Sequence, residues 1–221
     1  MRQYNDPCGL ARALNLVGER WALLIVRELL LGPKRFSDLR EGLSGISPNV
    51  LSQRLTSLVD RGIVEQNQLG PPTNANVYRL TTVGKQLDPA LLALAHWGSR
   101  AVAPSGGELS VDALLLAMRT TANLDRPHRP GMYQLLLEDD AITVDVAEDG
   151  LSMKRQTVDQ PVATMTMPPA VLRAVMFGDR TLHDTIQAGE ATVTGSLDDA
   201  ESFLGLFERP RLIERDPTET R

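Results

Sequence analysis

The sequence predicts an α+β protein of two domains, with helices and one hairpin in the N-terminal part and a sheet with helices in the C-terminal part. Apolar residues recur at the helical spacing through much of the first part, whereas strand-like alternation dominates the second. The charge divides as well: residues 1–100 carry 12 basic and 8 acidic side chains (net +4), and residues 101–221 carry 11 and 20 (net −9). A stretch rich in Pro and Gly coincides with this shift. We therefore expect domains at 1–102 and 110–208, a linker at 103–109 and a flexible tail at 209–221.

Composition excludes several classes of protein. The 221-residue chain has one cysteine, so neither an intrachain disulfide nor a cysteine zinc cluster can form. Its longest apolar runs are six residues, far short of the roughly 18 that indicate a transmembrane span. Asn5, Asp6 and Pro7 stand where a secretory signal would need its apolar stretch. The three histidines lack metal-motif spacing and no glycine-rich phosphate loop is recognisable. The composition predicts a cytoplasmic protein that is not an enzyme and holds no cofactor or metal.

The first elements are helices. Apolar residues repeat every three or four positions over 10–31, and Gly18 is expected to break this segment into two helices. Gly32–Pro33 ends the second of them. A short helix is then expected at 37–42, with Ser37 as its N-cap.

The next helix has the clearest start signal. Ser47 provides a capping hydroxyl and Pro48 occupies the first helical position, where a missing N–H costs nothing. This helix is expected to end at Arg61, before Gly62. Strands are then predicted at 63–69 and 77–82 around a proline-rich loop at 70–76, followed by a helix at 84–101.

Helices followed by a two-stranded hairpin are the order of a winged helix-turn-helix, in which one helix enters the major groove and the hairpin touches the adjacent backbone. In the helix after Ser47, the buried stripe is Leu51, Leu55 and Leu58. The opposite face carries mainly amides and hydroxyls, from Asn49, Gln53, Thr56 and Ser57, together with Asp60, and it is flanked by Ser52 and Arg54. Such groups suit base edges, at about 1–3 kcal/mol of discrimination for each good bidentate contact. On this helix alone, an ordinary solvated face is the alternative.

Short motifs through residues 8–97 carry a family resemblance. They are Cys8, Gly18–Trp21, Arg27–Leu29, Gly32–Phe36, Leu39, Gly45–Ser47, Leu51–Leu55, Leu58, Gly62, Tyr78–Thr81, Gly84 and Trp97. The segment resembles the HxlR family of bacterial winged-helix regulators. The resemblance implies a transcriptional regulator that binds double-stranded DNA as a homodimer, with the N-terminal helix and the helix ending near Trp97 at the dimer interface.

Residues for DNA binding follow from this resemblance and from chemistry. Cations contact phosphates, which gives affinity and register, whereas amides and hydroxyls read bases. For each cation, ordinary surface charge is the alternative. The predicted DNA-binding residues are Lys34, Arg35, Ser37, Ser47, Asn49, Ser52, Gln53, Arg54, Thr56, Asn74, Asn76 and Arg79.

Cys8 offers a second kind of control. Some members of the HxlR family sense oxidants through an N-terminal cysteine, and a reactive thiol needs a neighbouring cation or helix N-terminus that stabilises the thiolate. Here the order is Pro7, Cys8, Gly9, which departs from the Cys-Pro order common in the family. The alternative is a packed cysteine near the dimer interface.

The second half is predicted to begin with a helix at 110–121. Strands follow at 132–137, 141–147, 151–156 and 163–167, then helices at 168–177 and 181–188, a strand at 191–194 and a helix at 197–207. Six of the seven methionines lie beyond residue 117, and methionine adapts to irregular apolar shapes, although plain core is the commoner role.

The order of elements from Val162 to Leu197 carries a looser resemblance. It runs strand, helix, Gly178–Asp179, helix and a short strand bounded by Gly189 and Gly195. Residues 110–208 thus resemble sterol carrier protein type 2, a five-stranded sheet with helices around a lipid-sized tunnel. This implies a binding fold for an apolar molecule such as a lipid. The candidate lining residues are Leu135, Leu137, Met153, Met165, Met167, Val175, Phe177, Ile186, Phe203 and Phe207.

Several functions remain open from the sequence. The leading prediction is a homodimeric, sequence-specific regulator in the bacterial cytoplasm, associated with the nucleoid and controlled by a hydrophobic ligand. The first alternative is a constitutive DNA-binding regulator whose C-terminal domain is only structural, and the second is a regulator that senses redox state through Cys8. A lipid carrier with a vestigial helix-turn-helix is a third. The acidic C-terminal half should stay away from nucleic acid and anionic membranes.

Overall fold

A computed structural model of the chain describes residues 4–68, 75–102, 107 and 109–213. The chain divides into two compact units, Met1–Leu91 and Leu92–Arg221. The linker predicted at 103–109 lies largely outside the described residues, as does most of the tail predicted at 209–221. The predicted domain boundaries therefore stay a prediction.

The N-terminal unit contains the helices and the hairpin that its sequence predicts. Its elements are α1 (Gly9–Val17), α2 (Ala22–Leu29), β1 (Lys34–Arg35), α3 (Phe36–Gly42), α4 (Pro48–Asp60), β2 (Val64–Gln68), β3 (Asn76–Leu80) and α5 (Thr82–Lys85), with α6 (Asp88–Ser99) running across the division between the units. The predicted break after α1 is confirmed, since the N–H of Gly18 bonds to the carbonyl of Leu14 and the chain then turns. Trp21 enters α2 with a left-handed φ of 78°, and the Arg20 guanidinium lies over its ring.

Three strands of this unit form one sheet in the order β1-β3-β2. The strand β1 has two residues and was not predicted, because so short a strand has no alternation of its own and exists only through pairing with β3. Lys34 lies opposite Tyr78, and Arg35 lies opposite Val77. Since neighbouring residues of a strand point to opposite faces, these two cations are separated by the sheet.

Two details of the N-terminal prediction were wrong. Ser37 is not the N-cap of α3: the helix begins one residue earlier, and the backbone N–H of Arg35 bonds to the Asp38 carboxylate instead. The helix predicted at 84–101 is divided into α5 and α6. Thr81 caps α5 with its hydroxyl, and a turn precedes Pro89, which cannot donate a helical hydrogen bond to the preceding residues.

The C-terminal unit adds α7 (Val111–Thr121), β4 (Gly131–Leu137), β5 (Asp140–Val146), β6 (Leu151–Arg155), β7 (Ala163–Thr166), α8 (Pro169–Phe177), α9 (Leu182–Gln187), β8 (Thr192–Gly195) and α10 (Leu197–Leu204). The strands form a sheet in the order β6-β5-β4-β7-β8. Only the β4–β7 pair is parallel among these neighbours. The mixed sheet and its helices confirm the α+β prediction for this half.

The core of this sheet lies on one face. Tyr133, Leu135 and Leu137 alternate along β4 toward that core, and all three are fully buried. The Tyr133 ring stacks on Phe203 of α10 with centroids 4.5 Å apart, and its hydroxyl donates to a backbone carbonyl. The helix predicted to reach residue 207 ends at Leu204, because the chain turns there and Phe207 forms a bridge with Ala122.

A partly buried ion-pair cluster holds α7 to the sheet. The Arg155 guanidinium donates to both oxygens of Asp112, at 3.2 and 3.1 Å, and its Nε donates to Asp140. Burial by itself lowers the pKa of Arg155, but the hydrogen bonds to Asp140 and Asp112 outweigh it and raise the pKa above its ordinary value. No helix among the described residues has the length and apolar character to cross a membrane.

Candidate nucleic-acid interface

The helix α4 is held by one cap and one apolar stripe. The Ser47 hydroxyl accepts a hydrogen bond from the N–H of Val50 at 3.4 Å, which confirms the predicted N-cap. Leu51, Leu55 and Leu58 are at most 1% exposed and lock the rotation of the helix against the core. With the rotation fixed by these leucines, the opposite face must point to solvent.

That opposite face is polar and carries no charge near its centre. Asn49, Ser52, Gln53 and Thr56 are all exposed, as the helical spacing predicts. The Thr56 hydroxyl donates to the carbonyl of Ser52 at 3.1 Å, so its proton is used within the helix. The amides of Asn49 and Gln53 lie one turn apart and offer paired donors and acceptors toward solvent. This surface, which we call the α4 outer face, has the chemistry that base edges require.

Arg54 occupies the flank of α4 and contacts the turn between α1 and α2. Its Nη2 lies 3.3 Å from the Glu19 carboxylate, and 14% of its side chain is exposed. Arg61, at the end of the same helix, donates to the backbone carbonyl of Leu16 at 2.7 Å. Both arginines thus tie α4 to the end of α1 or the turn after it.

Lys34 and Arg35 were predicted together as phosphate contacts, but their side chains lie in different environments. The Lys34 ammonium donates to Glu28 at 2.6 Å, and Arg27 donates to the other oxygen of that carboxylate at 2.6 Å. Glu28 has no exposed surface, so Lys34 points into the protein. Arg35 is exposed on the other face of the sheet. Its neighbour Ser37, also exposed, donates to Asp38 at 2.8 Å.

Arg79 lies on the same face of the sheet as Arg35. It stands directly opposite Glu65 in the β2–β3 register, and its Nε donates to Glu65 at 2.6 Å. With the Asn67 amide oriented to satisfy both of its groups, Oδ1 accepts from Arg79 Nη2 at 3.2 Å. Asn76 is exposed at the start of β3. The predicted contact Asn74 lies outside the described residues.

Three carboxylates are part of this region although the sequence did not point to them. Glu19, Glu28 and Glu65 each bind one of the predicted phosphate contacts, Arg54, Lys34 and Arg79 respectively. For Glu65 a signal was present, since the register of the hairpin places it across from Arg79. The other two depend on tertiary contacts that no local pattern encodes.

The residues predicted to line a pocket lie mainly in the C-terminal core. Leu135, Leu137, Met165 and Phe203 have no exposed surface, and a side chain of that kind borders no space large enough for water. The other six are Met153, Met167 and Phe207, which are buried, and Val175, Phe177 and Ile186, which are partly buried. An open depression of about 310 Å³ includes Met167, with Leu136, Thr166 and Thr192 across three adjacent strands. Lining of a ligand cavity by these residues stays a prediction.

Cys8 precedes α1 and is exposed, and its backbone N–H donates to the Asp6 carboxylate at 2.8 Å.

Within the described ranges, no three or more His, Cys, Asp or Glu side chains are grouped so as to hold a metal ion.

Comparison with known proteins separates the two halves. Residues 16–105 match the family model of the HxlR-like helix-turn-helix. The uncharacterized HTH-type transcriptional regulator YvaP of Bacillus subtilis is 37% identical over 95 residues, which are 42% of this chain and 87% of YvaP. The chain belongs to the HxlR-like helix-turn-helix family. This membership confirms the family resemblance predicted for the N-terminal half.

Further relatives extend the comparison. An uncharacterized HTH-type transcriptional regulator of Mycobacterium tuberculosis is 43% identical over 89 residues, 40% of this chain, and the match spans 56% of its length. The reduced form of the regulator YodB from B. subtilis is 31% identical, covers 46% of this chain and all of YodB, and has a TM-score of 0.39. The matches to this family therefore leave most of the C-terminal unit uncovered.

The C-terminal half matches a different model. Residues 118–212 match the alkyl sulfatase C-terminal family, so this half is similar to a domain found in those proteins. The relatives that match the N-terminal half are named transcriptional regulators. The resemblance to sterol carrier protein type 2 stays a prediction.

Proposed function

We propose that the protein is a homodimeric, sequence-specific DNA-binding transcriptional regulator that acts at the nucleoid in the bacterial cytoplasm. The α4 outer face is the observation that carries this proposal. Its exposed amides and hydroxyls, on a helix whose rotation is fixed by buried leucines, suit base reading in the major groove. Membership of the HxlR-like family supports the same role.

Exposed apolar side chains support the homodimer. Leu10 and Leu14 lie one turn apart on α1 and are 68% and 39% exposed. On α6, Leu94 and Trp97 are 49% and 64% exposed. Apolar residues this exposed on the two outer helices are typical of an interaction surface. In a symmetric dimer, the two α4 helices would contact half-sites about 34 Å apart, one helical turn of DNA, or a multiple of it.

Selection from random DNA tests the proposal. The full-length protein should enrich a palindromic motif, and Asn49→Ala with Gln53→Ala should lose the enrichment while weak, salt-sensitive binding remains. Gln86→Ala is the matched control, because Gln86 is an exposed amide at the end of α5 and is not part of α4. If the wild-type protein enriches no sequence at low salt, the proposal is wrong.

Control by an apolar ligand is a second candidate function for the C-terminal unit, as a sterol-carrier-like module. Its support is the methionine-containing core, with Met153, Met165 and Met167 on or beside the strands. The core is closed around Leu135 and Phe203, so a ligand would have to open it. Native mass spectrometry and thermal shifts with fatty acids and sterols distinguish this from a purely structural role, in which no lipid co-purifies and no shift occurs.

Redox control through Cys8 is supported by its exposure at the start of α1. Mild oxidation should then weaken binding to the selected DNA, and Cys8→Ser should abolish that loss. Equal sensitivity of the wild type and the variant would exclude it.

A further inference from the structure

The sheet β1-β3-β2 presents a charged outer face. Arg35 lies across from Val77, and Arg79 lies two residues further along β3, so both arginines share that face. Glu65 stands opposite Arg79, on the same face. We call Arg35, Arg79, Glu65 and Asn67 the outer wing face. It combines two cations with one carboxylate at the hairpin that a winged helix lays against the DNA backbone.

The ion pairs of Lys34, Arg54 and Arg79 differ in how firmly they hold their cation. Glu28 is fully buried between Lys34 and Arg27, and moving Lys34 to another anion would break a charge-assisted hydrogen bond inside the protein, where water has little access to replace it. Arg79 and Glu65 are 52% and 43% exposed, so water can take over the contacts of either one. The Arg54–Glu19 pair lies between these limits. Arg79 is thus the cation most easily transferred from its carboxylate to another anion.

Glu65 presents to Arg79 what a DNA phosphate would present. Both groups offer anionic oxygens that accept hydrogen bonds from the guanidinium fork. Asn67 adds a neutral acceptor on the same strand, so the guanidinium is already held toward β2 before DNA arrives.

We propose that Glu65 is a positioning residue for DNA binding: it holds Arg79 in the absence of DNA, occupies the place of a phosphate, and is exchanged for one on binding. The inference rests on the proposed function and deepens it. Because a phosphate contact carries no sequence information, Glu65 lowers affinity for all DNA equally. Discrimination is then left to the α4 outer face.

A double-mutant cycle in the full-length protein tests this. Glu65→Gln should raise affinity for selected and random DNA by the same factor, about two- to five-fold per protomer, because the variant no longer gives up an exposed ion pair on binding. The slope of log K against log salt should stay unchanged, because Arg79 neutralises one phosphate in both proteins. In the background of Arg79→Gln, the gain should be much smaller, because the released cation is gone. Glu201→Gln is the control for net charge, since Glu201 is exposed in the C-terminal unit.

The outcomes separate the two proposals. An equal gain with and without Arg79 would show that Glu65 merely repels DNA, and would overturn the exchange. No gain beyond that of Glu201→Gln would also overturn it, even while the wild type selects a sequence. If the wild type selects no sequence at all, the proposed function itself fails. Urea unfolding of Glu65→Gln should match the wild type, because the pair is exposed.

Discussion

Replacing the buried carboxylate of Glu28 is the most direct test of how the N-terminal unit is built. Glu28→Gln keeps the volume but removes the charge that accepts hydrogen bonds from Arg27 and Lys34, each at 2.6 Å. Hydrogen bonds to charged groups contribute about 1.5–3 kcal/mol each, and breaking a buried ion pair costs about 3–5 kcal/mol. Both cations keep 14% of their side chains exposed and so retain some access to water. We therefore expect the free energy of unfolding of this unit to fall by about 3 kcal/mol.

Urea unfolding, followed by circular dichroism and tryptophan fluorescence, measures this loss. Glu41→Gln is the matched control: Glu41 is exposed near the end of α3, and its substitution should stay within about 0.5 kcal/mol of the wild type. Lys34→Met should also destabilise the unit while leaving the salt slope of DNA binding unchanged, because Lys34 faces Glu28. A Glu28→Gln protein as stable as the control would refute the reasoning. A Lys34→Met protein of normal stability with a shallower salt slope would place Lys34 on DNA.

Three further predictions follow from the packing and the charges. Gly84→Ala should unfold or severely destabilise the N-terminal unit in urea titrations, because its Cβ would lie 2.1 Å from the carbonyl oxygen of Ile63; Gly98→Ala, also helical but with nothing within 4 Å, should instead stabilise the protein by about 0.5–1 kcal/mol. Burial raises the pKa of Tyr133 above 10.0, and the Asp199 charge adds to this. The folded state therefore holds that proton more tightly, so the contribution of the Tyr133 hydroxyl to stability is fully present below about pH 10 and is lost as the pH rises further. In urea midpoints measured against pH, Tyr133→Phe should reduce this decline. In gel shifts at several salt concentrations, phosphate contacts by Lys34, Arg35, Arg54 and Arg79 of both protomers, eight cations in all, would give a slope of log K against log salt near −7. Retention of Lys34 and Arg54 by their carboxylates should bring it to about −4, and a slope near −7 would contradict those pairs.

Elements with a local start signal were predictable. The helix α4 begins where the Ser47 hydroxyl and Pro48 indicate, and α7, predicted from residue 110, begins at Val111 after its cap Ser110. The strands of the C-terminal sheet alternate strongly enough to be placed within a residue or two. In contrast, β1 exists only because Arg35 and its neighbour pair with β3, and the extent of α10 depends on how Phe207 reaches Ala122. Neither feature can be predicted from the local sequence, because each depends on a contact with a distant part of the chain.

The proposed DNA-binding surface also has a part that the local sequence predicts and a part that it does not. The exposed positions of α4, such as Asn49 and Gln53, follow from the helical period alone. The state of each cation does not, because it depends on which carboxylate the fold brings to it. Lys34 and Arg35 are adjacent in sequence and have the same charge, yet β1 sends one to a buried glutamate and the other to solvent.

This arrangement alters the meaning of the net charge of +4 carried by residues 1–100. Where a cation is bound to a carboxylate of its own chain, it neutralises a phosphate only by giving up that partner, so its contribution to affinity is a difference between two similar contacts. The amides of Asn49 and Gln53 are exposed, so on contacting a base they replace hydrogen bonds to water and lose no carboxylate partner. Electrostatic pairing therefore reduces binding to all sequences, while base reading by α4 keeps its full effect. The ratio of specific to non-specific affinity should accordingly be set by α4. The cations of the outer wing face should set the affinity for all DNA at a given salt concentration.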